Sequence, residues 1–263
     1  MSKNIIVTGG SRGIGYALTD YFLTRGCNVV FSGTSEESIQ KAKAKFDEKH
    51  DTNSSIGLVA NICDYSSSES LIQECTEKFG SMDIFINNAG VDQTKTLFKD
   101  VDKNNIDKVI DINLKGSMFG TLAALEYFKK QGSGAVYVME GFGSDDRMGD
   151  QMVIYGSSKR AIRYFGRSLA KEMRDTGIIV GTLSPGMVAT DFLKKSLDSM
   201  EKSQAESTKK IFNILADTPE DVAQFLGDNI LKNKKNGAKI FWLTTPKIMG
   251  RFLTAGFRKR ELF

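Results

Sequence analysis

Short runs of β-branched and aromatic residues alternate with helical patterns along most of this chain, and this alternation constrains the fold most. Apolar strands separated by helices are typical of a parallel sheet that is covered on both faces. We therefore predict an α/β chain with one doubly wound domain: a parallel sheet of about seven strands with helices on both faces. The predicted strands are Asn4–Thr8, Asn28–Ser32, Ile56–Ile62, Asp83–Asn87, Ala135–Met139, Ile178–Ser184 and Lys239–Leu243. The predicted helices lie near Gly15–Arg25, Glu36–Lys49, Ser66–Phe79, Val101–Lys130 and Ile154–Asp175.

The amino-acid composition argues against several kinds of functional site. The three cysteines lack C-x-x-C spacing, which argues against a disulfide framework and a thiolate zinc site. A single histidine, His50, argues against a Ser-His-Asp triad and a multi-histidine metal site, so we expect no metal. The net charge of +4 is too small to indicate nucleic-acid binding. No apolar run is long enough to span a bilayer. With no secretory signal pattern and with reduced thiols, a cytoplasmic location is expected.

No composition break interrupts the alternation, so one domain is expected to cover residues 1–263. Its first strand leads directly into a glycine-rich turn, Thr8–Gly15, that opens the first helix. Glycines let the backbone approach a diphosphate, whose charge then lies at the helix N-terminus. The spacing G-x-x-x-G-x-G differs from the usual dinucleotide fingerprint. The strand–turn–helix context nevertheless indicates a Rossmann dinucleotide site rather than a merely tight connection.

Further polar groups follow the strand ends where ligands bind in open α/β sheets. Asn87–Gly90 closes the fourth strand, Ser184–Gly186 ends the sixth, and Asn113 lies in the helix after the fourth. Tyr155 and Lys159 are four residues apart, so they share one helix face. A lysine beside a phenol favours phenolate and is expected to lower the tyrosine pKa towards neutrality, as a general acid requires. The alternative is a solvated pair on a helix surface.

Together and in this order, these motifs resemble the short-chain dehydrogenase/reductase family over nearly the whole chain. The resemblance implies that Tyr155 is the catalytic acid/base, that Lys159 binds the nicotinamide ribose, and that Asn113 holds a water in a proton relay. It implies a homodimer or homotetramer. It also implies cofactor contacts from Gly9, Ser11, Arg12, Gly13, Ile14, Gly15, Ser32, Thr34, Asn61, Ile62, Asn88, Ala89, Gly90, Tyr155, Lys159, Pro185, Gly186, Val188 and Thr190.

One departure from the family pattern concerns the serine that usually follows the fifth strand. Gly141 or Phe142 stands there, and Ser144 is the nearest hydroxyl. Ser144 either swings in to bind the substrate oxygen as a catalytic residue or simply follows two glycines in a flexible loop. The segment Met139–Ser144, the start of the Tyr155 helix and the C-terminal residues are similar to the chlorophyll(ide) b reductase branch. That similarity implies an aldehyde or ketone on a large, flat, hydrophobic molecule.

Cofactor choice depends on the end of the second strand. An acidic residue there would bind the adenosine ribose and repel a 2′-phosphate, but no carboxylate occurs before Glu36. Arg12 in the glycine turn is a charged donor that can reach such a phosphate. NADP(H) is therefore favoured over NAD(H), although Thr34 stands where many NADP-dependent relatives carry arginine. Asn61 and Ile62 are expected to bracket the adenine.

Two segments are expected to determine substrate access. Residues 187–218 carry apolar side chains without a strand pattern, and the family resemblance places them over the nicotinamide as a lid for a bulky substrate. The tail, about residues 244–263, is basic and amphipathic. It either lies on an anionic membrane surface or uses its apolar face to close the pocket or pair with another subunit, with the basic face in water.

We therefore expect an NADPH-dependent oxidoreductase that transfers hydride between the nicotinamide and a carbonyl or alcohol group on a small molecule that is hydrophobic and bulky. Reduction of 3-oxoacyl thioesters or hydroxysteroids uses the same core and is the alternative among enzymes. A dinucleotide-binding sensor or scaffold is the alternative outside them. The triad Asn113, Tyr155 and Lys159 argues against the sensor, because a sensor needs no proton donor.

Overall fold

Parallel strands form one seven-stranded sheet in this computed structural model, which describes residues 2–93, 95–198, 202–255 and 260–263. The strand order is β3-β2-β1-β4-β5-β6-β7, with all neighbours parallel. The order reverses beside β1, so β1 and β4 flank the crevice where doubly wound sheets bind ligands. The predicted fold is confirmed. The strands are β1 (Asn4–Val7), β2 (Asn28–Gly33), β3 (Ser55–Val59), β4 (Ile84–Asn87), β5 (Gly134–Met139), β6 (Ile178–Ser184) and β7 (Lys239–Phe241).

Helices cover both faces of this sheet. One hydrophobic cluster joins the sheet to the first, second and ninth helices, and another joins it to the third and fifth. The sixth helix packs on β5 and β6. The helices are α1 (Gly13–Thr24), α2 (Glu36–Asp47), α3 (Tyr65–Phe79), α4 (Lys103–Ile110), α5 (Gly116–Gln131), α6 (Val153–Glu172), α7 (Asp191–Asp198), α8 (Lys202–Leu215), α9 (Pro219–Lys232) and α10 (Thr245–Thr254).

The central strand β1 shows why the strand sequences are almost continuously apolar. Ile5 and Val7 lie in the first hydrophobic cluster, whereas Ile6 between them lies in the second. Successive side chains of a strand point to opposite faces, so a strand covered on both faces must be apolar at every position. The register pairs Ile5 with Val29 on one side and Ile84 on the other. This packing fixes where the carboxyl ends of β1 and β4 meet.

Most predicted elements differ from the observed bounds by one to three residues at an end, and two segments near the site differ in a way that matters. The single helix predicted over Val101–Lys130 is instead α4, a π-helical turn over Asp111–Lys115, and α5. The strand predicted over Ile56–Ile62 ends at Val59, because the Asn61 side chain turns the chain by accepting from the Cys63 N–H at 3.2 Å.

Residues 187–218 lead from β6 to α9, and the two ends of this segment lie side by side. Between their ends lie α7 and α8, and Phe212 and Leu215 on α8 are buried. The Ala189 N–H donates to the Asp217 carbonyl at 2.8 Å, and the Asp217 N–H donates to the Met187 carbonyl at 3.0 Å. These backbone bonds tie the two ends of the segment together. Met200 and the Phe192 side chain, two of the apolar side chains in this segment, lie outside the described residues.

The tail folds back onto this segment through Asp217, a buried carboxylate. Trp242 donates its indole N–H to Asp217 at 2.5 Å, Arg251 donates to both carboxylate oxygens at 2.7 and 2.9 Å, and Arg260 donates at 2.8 Å. Burial works to raise the pKa of Asp217, but these hydrogen bonds outweigh it and hold that pKa below its ordinary value. Asp217 is therefore a charged anchor for α10 and the residues beyond it.

The expectation that the basic face of the tail lies in water is wrong for α10, whereas pairing of its apolar face with another subunit stays a prediction. Arg251 points inward to Asp217, whereas Leu253 is 78% exposed and Met249 and Phe252 are also exposed. The reason is that a buried carboxylate attracts the guanidinium groups more strongly than water does in that position. The tail residues Phe257, Arg258 and Lys259 lie outside the described residues. Within the part of the chain that is described, no helix is both long and apolar enough to cross a membrane.

Candidate active site

The glycine turn is tied to the loop after β4 by a set of hydrogen bonds. The Thr8 hydroxyl accepts from the N–H groups of Asn88 and Ala89 at 3.1 and 3.0 Å. The Asn88 amide donates to the Thr8 and Gly9 carbonyls at 2.9 and 3.2 Å. Ser32 accepts from the Gly9 N–H at 3.2 Å and is buried, so its hydroxyl holds the turn. The strand end and the loop predicted to bind cofactor therefore form one unit.

The shape and polarity of this turn fit a diphosphate. Any Cβ at Gly15 would overlap the Gly9 carbonyl oxygen and the Asn88 amide nitrogen, so the backbone approaches as closely as only glycine allows. Arg12, the N-cap of α1, provides no side-chain cap, and the first turn carries no acidic residue. The first N–H groups of α1 are thus oriented to receive an anion. Thr190 lies above this turn, with its methyl carbon 3.6 Å from the Cβ position of Gly13.

Groups around the expected adenosine position carry no carboxylate at the end of β2. Thr34 is exposed beyond that strand, and the Ser11 hydroxyl lies 2.7 Å from the Cβ position of Gly33. The Arg12 side chain is exposed at the start of α1. Asn61 is exposed and donates to Asp64 at 2.8 Å, and Ile62 packs against the start of α5. The end of β2 therefore carries hydroxyl groups rather than a carboxylate at the position expected for a ribose.

Three residues after β6 complete this edge of the sheet. Pro185 is buried, and Gly186 has a φ of +70° at the turn away from β6. Val188 pairs with Asp217 as an isolated bridge that leads the chain to Thr190. Ile14 follows Gly13 on α1 and packs against the first hydrophobic cluster. The predicted cofactor contacts from β1, β2, β4 and β6 are thus brought to one edge.

Tyr155 and Lys159 lie on the buried face of α6. Lys159 donates from Nζ to the Met139 carbonyl at 3.1 Å, and its Nζ lies 5.9 Å from the Tyr155 ring centroid. Gly90 faces them, since its Cβ position is 3.4 Å from the Lys159 Nζ and 3.2 Å from the Asn113 Oδ1. The pair is buried next to the cofactor edge, which does not match the alternative of a solvated surface pair.

Burial dominates the protonation of this pair. It raises the pKa of Tyr155 above its ordinary value, and the negative charge of Asp92 raises it further. Burial lowers the pKa of Lys159 to about 8, with Glu140 opposing the shift. The expectation that Lys159 brings the Tyr155 pKa towards neutrality is therefore wrong for this arrangement. The desolvation of the phenol is the larger effect, and it keeps Tyr155 a neutral acid.

The Lys159 pKa leads to a pH prediction. The ammonium form is the one that favours negative charge developing beside Tyr155, and its population falls as pH rises through about 8. We expect kcat/KM for carbonyl reduction to be level below that pH and to fall above it. A pH–rate profile measured with saturating NADPH checks this. A profile that stays flat well above pH 8 would contradict it.

Asn113 lies in the π-helical turn and clamps the loop after β4 to α6. Its side chain accepts from the Val91 N–H at 2.8 Å and donates to the Val91 carbonyl at 2.9 Å and the Ser158 hydroxyl at 3.0 Å. Ser158 in turn donates to the Tyr155 carbonyl at 2.7 Å. Single π-helical turns are common at functional sites. The amide of Asn113 thus fixes the frame around Tyr155, and its role in a water relay stays a prediction.

Ser144 is not presented to a substrate. Its hydroxyl accepts from the Gly141 N–H at 2.9 Å, donates to the Lys159 carbonyl at 3.2 Å, and is buried. The position that faces the reacting hydroxyl is Gly141, whose Cβ would lie 2.5 Å from the Tyr155 oxygen. The arrangement therefore favours Ser144 as a residue that shapes this loop, against its expected place among the catalytic groups.

We accordingly expect Ser144→Ala to act on stability. The half-buried Gly141 N–H would lose its acceptor, which costs about 0.5–1.5 kcal/mol of unfolding free energy. Loss of a catalytic oxyanion donor would instead lower kcat by about 10²- to 10³-fold. Denaturant unfolding and initial rates on the same preparation separate the two effects. A loss of kcat without a loss of stability would restore Ser144 to the catalytic set.

Glu140 is a buried acid that the sequence reasoning missed. It follows the last residue of β5 and lies 3.8 Å from the Arg163 guanidinium. Burial raises its pKa, while Arg163 opposes the shift. The signal was available, because the residue directly follows an apolar strand at the ligand-binding edge. Among the described residues, no group of His, Cys, Asp or Glu side chains is arranged to hold a metal ion.

Comparison with known proteins agrees with this geometry. The family described as short chain dehydrogenase matches residues 3–201. The chain belongs to this short-chain dehydrogenase family. The family resemblance inferred from the motifs is confirmed. This chain also shares its fold with levodione reductase. The crystal structure of that protein superposes with a TM-score of 0.84 at 23% identity, covering 94% of this chain and 99% of that one.

Similar members of the family include plant and bacterial proteins. The chloroplastic "Probable chlorophyll(ide) b reductase NYC1" of Oryza sativa subsp. japonica is 30% identical over 99% of this chain and 54% of its own length. The chain thus spans about half the length of the curated relatives it matches first. The 3alpha-hydroxysteroid dehydrogenase of Mediterraneibacter gnavus is 27% identical over 88% of this chain and 94% of its own. A structure titled "ElxO with NADP Bound" has a TM-score of 0.78 at 25% identity, covering 92% of this chain and 97% of that one.

Proposed function

We propose that this chain is an NADP(H)-dependent oxidoreductase that interconverts a carbonyl and an alcohol on a bulky hydrophobic substrate. The observation that carries the proposal is the buried pair of Tyr155 and Lys159 at the edge where the glycine turn and the loop after β4 meet. A phenol and an ammonium group in that place serve proton transfer. A buried phenol is not needed merely to hold a nucleotide.

The chain's own residues would divide the work as follows. The N–H groups at the start of α1 bind the diphosphate, and Lys159 donates to the nicotinamide ribose. When bound, NADPH supplies the hydride. As negative charge develops on the substrate oxygen, Tyr155 donates its hydroxyl proton to that oxygen. A raised pKa leaves Tyr155 protonated at neutral pH, which suits reduction better than oxidation.

Selection of NADPH over NADH rests on charge at the adenosine end. No carboxylate lies between the end of β2 and Ser35 to repel a 2′-phosphate, and the exposed Arg12 provides a cation in the glycine turn. The relative solved with NADP bound supports the same choice. Fluorescence titration with NADPH and NADH, on the parent chain and Arg12→Ala, tests it. Tighter binding of NADH by the parent chain would overturn the Arg12 argument.

A bulky apolar substrate is supported by residues 187–218. Buried Phe212 and Leu215 on α8 give this segment an apolar interior, and Thr190 brings its beginning over the glycine turn. We propose that the segment is a lid over a single domain, and that the tail anchors it through Asp217. The similarity to chlorophyll(ide) b reductases supports a large flat carbonyl compound.

The test of function is a carbonyl panel read by loss of NADPH absorbance. It includes tetrapyrrole aldehydes, 3-oxosteroids and 3-oxoacyl thioesters. The second candidate, hydroxysteroid reduction, is favoured by the similarity to a 3alpha-hydroxysteroid dehydrogenase. If NADPH binds tightly while no carbonyl turns over, the chain is a dinucleotide-binding sensor or scaffold and the proposal fails.

Assembly and location complete the proposal. The outer faces of α5 and α6 expose Met118, Leu122, Val153 and Tyr164, which supports a homodimer or homotetramer through these helices.

Free Cys27, Cys63 and Cys75 support a reducing compartment such as the cytoplasm. Exposed Met249, Phe252 and Leu253 on α10 leave peripheral membrane contact as the less favoured use of the tail.

A further inference from the structure

The helix that carries Tyr155 begins without a cap of its own. Its N-cap, Met152, makes no side-chain hydrogen bond to the first turn of α6. The first N–H groups of a helix have no partner within it, and buried ones must be satisfied from elsewhere. Gln93 supplies such a partner from the loop after β4. Its side-chain oxygen accepts from the Tyr155 N–H at 2.8 Å, and Gln93 is only 5% exposed.

The loop holding Gln93 is itself fixed on both sides. The Asp92 carboxylate accepts from the Gln93 N–H at 2.9 Å and forms an ion pair with Lys95 at 2.8 Å. Asn113 binds both backbone groups of Val91. Gln93 therefore has a firm support from which to hold α6. Because Tyr155 lies in the first turn of α6, where helices fray most readily, its placement depends on that support.

We propose that Gln93 is a positioning residue that holds the Tyr155 backbone, and with it the reacting hydroxyl, in place from across the site. It touches neither substrate nor cofactor in this role. The inference rests on the proposed function, in which Tyr155 transfers the proton. A displacement of about 1 Å in a reacting group lowers rates by about 10²-fold, so a cap of this kind has a kinetic consequence.

An amide suits this position better than a carboxylate. The charged groups around Tyr155 are Asp92 and Lys95 from the loop after β4, Lys159 from α6, and Glu140 beyond it at the end of β5. Asp92 already disfavours the phenolate. A neutral acceptor satisfies the Tyr155 N–H without adding a second negative charge beside the phenol. Glutamate at this position would keep the acceptor but make the phenolate harder to form.

The experiment compares two variants of the full chain with NADPH bound. Gln93→Met keeps the length of the side chain and loses the acceptor, whereas Gln93→Glu keeps the acceptor. We expect Gln93→Met to lower kcat by about 10- to 100-fold with little change in NADPH affinity. We expect Gln93→Glu to recover most of the rate of reduction. In the pH–rate profile of Gln93→Glu for alcohol oxidation, the rise in rate should move to higher pH, because oxidation needs the phenolate.

A cap elsewhere provides the matched control. Asp102 caps α4 by accepting from the Asn104 N–H at 3.0 Å, and it lies on the surface away from Tyr155's partners. Asp102→Ala should lower the melting temperature without lowering kcat. If Gln93→Met keeps the parent kcat, or if Gln93→Glu loses as much kcat as Gln93→Met, the proposal is overturned.

Amide hydrogen exchange separates this inference from the proposed function. The Tyr155 N–H should exchange faster in Gln93→Met than in the parent chain or Gln93→Glu, whether or not any carbonyl turns over. If the parent chain turns over nothing, the positioning role falls together with the proposed function even when exchange is faster. Unchanged exchange in Gln93→Met overturns the cap itself and leaves the proposed function untouched.

Discussion

Replacing Tyr155 with phenylalanine is expected to lower kcat by about 10²- to 10⁴-fold while NADPH affinity stays the same. The ring remains buried against α6 and Lys159 keeps its bond to the Met139 carbonyl, so only the proton donor is lost. Stopped-flow rates with the best carbonyl of the panel, beside fluorescence titration of NADPH, measure the two quantities. Tyr164→Phe is the matched control, because Tyr164 lies on the same helix and is 77% exposed. Turnover by the Tyr155 variant close to that of the control would place the proton donor elsewhere.

Replacing Gly15 with alanine should weaken NADPH binding at least about tenfold, which corresponds to about 1.4 kcal/mol. The added methyl overlaps the Gly9 carbonyl and the Asn88 amide, so the glycine turn must move away from the loop after β4. Overpacking of this kind also lowers the free energy of unfolding by about 1–3 kcal/mol. Isothermal titration and denaturant unfolding measure both losses.

Gly250→Ala is the control for this substitution. Gly250 lies in α10, and among the described residues nothing beyond its chain neighbours and its own helix backbone lies within 4 Å of its Cβ position, so alanine there should leave NADPH affinity unchanged. It should also stabilise the helix by about 0.5–1 kcal/mol. Equal NADPH affinity in both variants would mean that the close approach at Gly15 has no part in binding.

The layout of the sheet was predictable because its central strands are buried on both faces. Ile5, Ile6 and Val7 need no alternation when clusters lie above and below them, and such runs stand out in the sequence. The break between α4 and α5 was not predictable. It occurs where the Asn113 amide is held by Val91 and Ser158, and those partners are distant in sequence. A pattern of local propensities contains no record of such contacts.

The candidate site was predictable in its members but only partly in its chemistry. The spacing of Tyr155 and Lys159 places both on one helix face, and the structure shows that this face is buried. Spacing does not report how deeply a phenol is desolvated, and here desolvation reverses the direction expected for the Tyr155 pKa. No sequence motif links Gln93 to Tyr155, so only the folded structure shows that the two residues are in contact.

The backbone bonds between Asp217 and residues 187 and 189 have a consequence for how substrate range evolves. The chain runs from β6 to α9 through this segment, and one pair of backbone hydrogen bonds holds the two ends of the segment side by side. Loops closed in this way tolerate insertions, deletions and replacement at little energetic cost. We therefore expect that the stretch from about 190 to 216 can be replaced by the corresponding segment of another family member. Grafting a counterpart from another family member should alter which compounds are accepted while the proton-transfer groups on α6 stay where they are.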